Sequence, residues 1–358
     1  MGPVISLQGI NKCLSLLLFL LLLGCRSESE QRTVLATEEP ENIEVKNTVV
    51  FPLLSFQGNM SSLNFFNRQT QSIEHIIESQ SEQQFIDAHL VGERIYALKE
   101  DLRGNEVTLL QVLDREGNDI HQFELPGAHH TIAPFEDKIA YIETFEYSLN
   151  GRIWLLDRVV SMLPDSQQQN VLLSVTDVLV LEDLAIAYSQ NGDMWDITHA
   201  NTIRWDVSQQ LFVLTLAGLN AIWTFDVDGQ IKGVYLGYQA SSEAYKSGAV
   251  YSGGTFHHPH GAVFDQAGRL WVLSTTDGIS QVHGYTVDGQ NLQLQTSVTP
   301  PYEDFQSLAG GNVLLDSNGL IIDWGFAGLI EERTFSQDSV WTFESPIGFG
   351  MGFATLAP

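Results

Sequence analysis

The sequence predicts an all-β fold, a β-propeller of about six blades, from three observations. Short runs of alternating apolar residues succeed one another from about residue 84 onward, tight-turn signals separate them, and one hairpin-like unit returns at intervals of several tens of residues. A repeat of that length, holding about four strands, is the signature of propeller blades. A flat sandwich is the alternative.

The first 24 residues read as a bacterial export signal. Lys12 carries a positive charge and Leu14 to Leu23 form an almost unbroken apolar run. At roughly ten residues, such a run is a signal-peptide core and too short to cross a bilayer as a stable helix. It ends in Leu22-Leu23-Gly24-Cys25, with abrupt polarity beyond. This junction resembles the lipobox of bacterial lipoproteins. The resemblance implies removal of residues 1–24, a lipid on Cys25, and attachment to the membrane of the cell envelope through that lipid. Arg26 follows where an aspartate would imply inner-membrane retention, so the outer membrane is favoured. An ordinary signal peptide or a one-span anchor is the alternative. Residues 25–46, with Ser27-Glu28-Ser29-Glu30 and Glu38-Glu39-Pro40-Glu41-Asn42, carry too few large apolar side chains to offset the entropy of ordering. They read as an acidic tether, or else as a first edge strand. Residues 47–358 are expected to form one propeller domain.

Within it, the apolar runs include Arg94 to Leu98, Val107 to Leu113, Lys138 to Ile142 and Leu211 to Thr215. Between them lie Arg115-Glu116-Gly117-Asn118, Val227-Asp228-Gly229-Gln230, Val287-Asp288-Gly289-Gln290 and Ser317-Asn318-Gly319. Asp-Gly and Asn-Gly suit type I′ hairpins, whose two central residues need positive φ. Only Gln71 to Gln84 reads as helical, from the isoleucine spacing in Ser72-Ile73-Glu74-His75-Ile76-Ile77-Glu78. The recurring unit is Ala221-Ile222-Trp223-Thr224-Phe225-Asp226, echoed by His283-Gly284-Tyr285-Thr286-Val287-Asp288 and by Arg152-Ile153-Trp154-Leu155-Leu156-Asp157. Blades are expected to begin near residues 84, 127, 175, 256 and 305. Residues 47–58 would close the ring by pairing with the C-terminal segment.

Composition excludes several functions. The two cysteines are Cys13 in the leader and Cys25 at its end, where the lipid would take the thiol, so the mature domain has no disulfide, thiol nucleophile or cysteine-based metal site. A formal charge of −27 argues against a nucleic-acid partner, which needs basic stripes to displace counterions. No P-loop, dinucleotide fingerprint or serine elbow is present, so no cofactor is implied.

The candidate chemistry lies in three histidine segments: Ala128-His129-His130-Thr131-Ile132, Asp196-Ile197-Thr198-His199-Ala200-Asn201, and Phe256-His257-His258-Pro259-His260-Gly261. Each precedes an apolar strand-like run. Propeller blades present the ends of their inner strands to a common channel, so His130, His199 and His260 are expected to converge there. Imidazole can serve at such a place as nucleophile, metal ligand or anion donor. His129, Asn201 and His258 are expected to bind substrate beside them. His75, His89, His121 and His283 read as ordinary surface or strand residues, and Trp154, Trp223, Trp271 and Trp341 as blade packing.

These segments, in their order along residues 127 to 345, resemble the bacterial arylsulfate sulfotransferase family that uses no nucleotide sulfate donor. His129-His130-Thr131-Ile132 is similar to its His-His-Asp-Ile segment, and Asp196-Ile197-Thr198-His199-Ala200-Asn201 to its Asp-Trp-Thr-His-x-Asn motif. Ala221-Ile222-Trp223 follows at a similar spacing. Pro259-His260-Gly261-Ala262 resembles its later histidine segment, and Gly311 to Leu314 with Asp323-Trp324-Gly325 resembles its last blade. The resemblance implies a six-bladed propeller that moves a sulfuryl group from an aryl sulfate to a phenol. His260 would be the transiently sulfated nucleophile, with His199 and His130 holding the sulfate oxygens and moving protons. Two positions depart from the pattern. Ala217 stands where the family carries an arginine, and Thr131 where it carries an acid. Arg204, Lys246 and Arg269 are the candidates to replace the missing cation. Two other classes stay open: a metal-dependent propeller hydrolase or lactonase with Asp196 or Asp265 among its ligands, and a non-catalytic envelope lipoprotein that binds a ligand or partner.

Overall fold

The computed structural model describes residues 47–357 except 56–59, 80–82, 102–106, 182–188, 192–193, 247, 277–278, 303–309, 318 and 347. The leader, Cys25 and the tether lie outside the described residues.

Six mainly antiparallel sheets form a six-bladed propeller, two of them with one short parallel pair. The first blade joins the two ends of the chain. Its strands Thr48–Ser55, Ser61–Asn67 and Ser72–Glu78 come from the N-terminal side. Phe349–Met351 and Thr355–Leu356 pair with Thr48–Ser55 as the innermost strand. The expected closure of the ring is therefore present. Apolar side chains from the first and last blades seal the joint, with Phe51, Phe66, Ile321, Ile330 and Trp341 in one buried cluster. The next blades have innermost strands Gln84–Val91, Ala128–Phe135, Ala200–Asp206, Pro259–Phe264 and Asn312–Asp316. The recurring unit in the sequence is the third strand of its blade: Arg152–Leu163, Ala221–Phe225 and Ile279–Asp288. Trp154, Trp223, Trp271 and Trp341 are all buried in the blades, as expected of packing aromatics.

Two expectations fail. Ser72–Glu78 is the outermost strand of the first blade, not a helix. A bulge leaves Glu74 unpaired between the Phe65–His75 and Phe66–Ile73 pairs. That extra residue interrupts the period-two alternation, and the isoleucines then mimic helical spacing. The fourth blade begins at Ala200 rather than near 175. Arg152–Leu163 is a long strand, and Gln168–Ser174 covers only its Arg158–Leu163 half. Met194–Asp196 returns to cover Ile153–Leu155 in parallel, so the third blade does not end until Asp196. The intervening Val175–Val178 is a single helical turn.

Tight turns form at Asp228-Gly229 and Asp288-Gly289, but they are not type I′: the glycines have positive φ and the aspartates do not. The turn at Gly229 is also a contact between blades. Gly229 lies at φ +75°, and a Cβ there would stand 1.9 Å from the Leu172 carbonyl oxygen in the third blade. Alanine at Gly229 is expected to destabilise the protein by about 2–4 kcal/mol, the sum of left-handed strain and overpacking. Urea denaturation measures it, and a change below about 0.5 kcal/mol would contradict the contact.

Candidate functional site

All six inner strands run the same way around the axis, so their first residues gather at one mouth of the central channel. At that mouth the histidine segments meet. The His130 and His199 rings have centroids 5.6 Å apart, and His129 packs edge-on to His130 at 4.7 Å. His260 lies within electrostatic reach of both His199 and His258, and His130 within reach of His260. Five imidazoles thus share one funnel, which brings His130, His199 and His260 together.

The backbone shows how they are aimed. Bulges interrupt the inner strands between His129 and Ile132, Ala200 and Thr202, and Pro259 and Gly261. The bulged residues include His130, Asn201 and His260. His260 is therefore the positional counterpart of His130 and Asn201, while His199 and His258 each sit one residue before their strands. A bulge re-aims a side chain out of the ladder, here toward the axis. His130, His199 and His258 have φ of 63°, 39° and 40°. The other left-handed non-glycine residues lie in turns and loops. Left-handed backbone costs a residue with a Cβ about 1 kcal/mol or more, and strain concentrated in three histidines at one mouth marks a functional place.

Backbone partners hold that strain. Glu100 accepts the His130 N–H at 2.5 Å, and Asn220 accepts the His258 N–H at 2.8 Å. Asn220 is itself left-handed and ends the short turn Ala217–Leu219. Ala217, in the place of the family's arginine, is buried and donates its N–H to the His199 carbonyl at 3.0 Å.

Two acids organise the rings. Asp157 accepts from His129 Nε2 at 3.1 Å, from the Thr144 and Thr198 hydroxyls at 2.8 and 2.7 Å, and from the Ala200 N–H at 2.7 Å. Burial would raise its pKa, but these donors, His129 first, hold it at about 2. Burial would likewise lower His129, yet Asp157, then Glu100 and Asp196, raise it. His129 Nδ1 and His130 Nδ1 lie 2.6 Å apart and share a proton. His130 is driven well below its ordinary value by burial, then by His129 and His199. It is neutral, with one donor and one acceptor nitrogen. Asp196 accepts from His199 Nδ1 at 2.7 Å and fixes that ring. His260 is 8% exposed and is pushed down to about 4, by burial first and then by His199 and His258. At neutral pH it presents an unprotonated nitrogen.

The remaining candidates take other places. Asn201 is buried, and its amide donates to the Pro259 carbonyl at 3.0 Å, so it braces the His260 segment. Thr131 donates nothing to the histidines; its hydroxyl accepts the Ile203 N–H at 2.8 Å. Arg204 donates to the Val313 carbonyl, Lys246 to the Thr176 carbonyl, and Arg269 pairs with Asp265. Asp265 is thus tied to Arg269 and Trp271, away from the funnel. Among the described residues no three His, Asp or Glu side chains are grouped to hold a metal ion. Asp157 and Glu100 were not singled out in the sequence as part of the site. Asp157 ends a recurring strand unit, but nothing local shows that it crosses to Thr198 and Ala200.

No family model and no curated protein matches the sequence. Solved propellers do match the fold. A protein of unknown function from Bacteroides caccae is 11% identical, with a TM-score of 0.51 over 86% of this chain and 98% of the other. A Bacteroides uniformis protein, assigned provisionally as a 6-phosphogluconolactonase, is 13% identical with a TM-score of 0.50 over 84% of each chain. A streptogramin B lyase is 13% identical with a TM-score of 0.45 over 86% of this chain and 85% of the other. At these identities the likeness establishes the six-bladed architecture and nothing about activity.

Proposed function

We propose that the histidine funnel binds a sulfate ester and transfers its sulfuryl group from one phenol to another through His260. The observation that carries this reading is the neutral, nearly buried His260 ring among four other imidazoles, one of them paired with Asp157. The lone pair of His260 attacks sulfur, and the S–O bond to the aryl group breaks with its electrons on the phenol oxygen. That oxygen takes a proton from His199, whose ring Asp196 orients. An acceptor phenol returns the proton to His199 and attacks sulfur, and the N–S bond breaks to restore neutral His260. His129, which Asp157 biases toward its protonated form, and the neutral His130 ring are the groups placed to supply charge and a donor for the sulfuryl oxygens. Release of nitrophenolate from p-nitrophenyl sulfate with phenol as acceptor tests the activity, and its absence with every phenol tried sinks it.

A second reading, oxyanion binding without turnover, is favoured by one observation. Ala217 donates its N–H to the His199 carbonyl, Lys246 and Arg269 are engaged elsewhere, and Arg204 bonds the Val313 carbonyl and lines the cavity at the other mouth. Paired guanidinium donors, the usual grip on a sulfate, come from none of these four positions. Sulfate binding with no nitrophenolate release would select this reading.

Both readings share a pH dependence. An anion beside His260 raises its pKa from about 4, so binding takes up a proton. Sulfate affinity is expected to rise as pH falls from about 7 toward about 5, and to level off near the free-protein value of about 4. Calorimetric titration in buffers of different ionisation enthalpy measures the uptake. A pH-independent affinity without proton uptake would place the anion elsewhere.

The lipid anchor, and with it a place at the envelope's outer membrane, is proposed on the leader sequence alone. Labelling with a radioactive fatty acid, lost in Cys25→Ala, tests it.

A further inference from the structure

The opposite mouth of the channel holds a cavity of about 540 Å³ between the far ends of the fourth, fifth and sixth inner strands. This is the size of a small-molecule site. Trp205, Phe264 and Phe335 give it aromatic walls, and Arg204 enters it from the channel side. A separate space of about 20 Å³, lined by Asp87, Asn312, Thr355 and the other side of Arg204, lies along the axis. That is room for about one water. The wide cavity is therefore distinct from the histidine funnel.

The charges around it are almost all matched. Asp265 pairs with Arg269 at 2.6 Å, and Asp316 with Arg68 at 2.7 Å. Asp206 accepts three hydrogen bonds from its own turn: the N–H groups of Ser208 and Gln209 and the Ser208 hydroxyl. Arg204 is the exception. Its single hydrogen bond goes from one terminal nitrogen to the Val313 carbonyl at 3.1 Å, and among the described residues it forms no ion pair. Burial lowers its pKa, with Asp206 and Asp87 too distant to bond it but close enough to oppose the shift. A guanidinium has five N–H donors in a fixed fork, and a poorly solvated one without a carboxylate is costly. In a chain of net charge −27, that cost is not needed for folding, since carboxylates are abundant.

We propose that this cavity is a second binding site, for a small aromatic carboxylate whose carboxylate pairs with Arg204 and whose ring lies among Trp205, Phe264 and Phe335. The site is independent of the histidine chemistry. A flat anion suits the fork by bidentate bonding, and the aromatic walls suit a flat ring.

Benzoate is the probe. Titration of the full-length protein, followed calorimetrically and by benzoate-dependent rise in melting temperature, is expected to show saturable binding. Arg204→Gln is expected to weaken it by roughly 10- to 100-fold, the weight of a charged hydrogen-bonded pair. Phe335→Leu, at the open rim and 36% exposed, keeps an apolar contact with Trp271 and Arg269 but removes the ring, and is expected to weaken binding should the arginine variant fail to fold. His260→Ala is expected to leave benzoate binding unchanged. No saturable binding, or binding lost in His260→Ala and kept at full strength in Phe335→Leu, would overturn the proposal.

Discussion

His260→Ala is expected to lower sulfuryl transfer by roughly 10⁴-fold or more, the scale on which removal of an essential nucleophile acts. The intact protein, quenched during turnover of p-nitrophenyl sulfate, is expected to carry the added mass of one sulfuryl group, and the variant none. Stability separates this result from simple unfolding. The His260 pKa is about 4 in the folded protein, below the ordinary histidine value of about 6.5. The neutral ring is thus favoured on folding. That contribution is complete above about pH 6.5 and is lost as pH falls toward about 4. The alanine variant lacks this loss, so it should hold its stability better than the parent near pH 5. A variant that keeps transfer, or that unfolds at neutral pH, would refute the assignment of His260 as nucleophile.

Asp157→Ala is expected to produce the largest loss of stability of any substitution at the funnel, about 3–5 kcal/mol. It strands the Thr144 and Thr198 hydroxyls and the Ala200 N–H, and it leaves His129 without its counter-charge. The acid side of the stability curve carries the same interaction. Asp157 titrates at about 2 when folded, below its ordinary 3.8. Its contribution is present above about pH 3.8 and lost as pH falls through about 2. Asp323 has the opposite sign. Burial raises its pKa to about 7, so it favours the folded state at low pH and withdraws that support as pH rises from about 4 to 7. Urea denaturation of the parent and of Asp157→Ala across this range reads both. A loss under about 1 kcal/mol would mean that Asp157 does not hold the blades and the rings together.

Much of the architecture was legible from residue order. Asp-Gly turns, third-strand repeats and the pairing of residues 48–55 with the C-terminal segment follow from local chemistry and period. The errors came where a local pattern had two readings. The isoleucines of Ser72–Glu78 fit a helix until a bulge at Glu74 is known. The start near 175 looked like a blade until Met194–Asp196 returned to cover the far half of a long strand.

The same division runs through the site. Histidine at residues 129, 130, 199, 258 and 260 was visible as a set because imidazole is scarce and chemically distinct. Strand starts of a propeller meet at one mouth, so convergence followed from the fold class. The partners that fix each ring's proton were not visible. Glu100 reaches His130 from a neighbouring blade, and Asp157 ties its own blade to Thr198 and Ala200. Gly229 shows the distinction in one residue: the turn demands glycine from sequence alone, but Leu172, which forbids any Cβ, arrives from another blade. Turn chemistry and strand period act over a few residues, so the sequence by itself determined the blades and which imidazoles share a mouth. Burial and Coulomb forces depend on distances across blades, so only the tertiary structure decided which histidine is biased toward its protonated form, which is neutral, and where an unpaired arginine would lie.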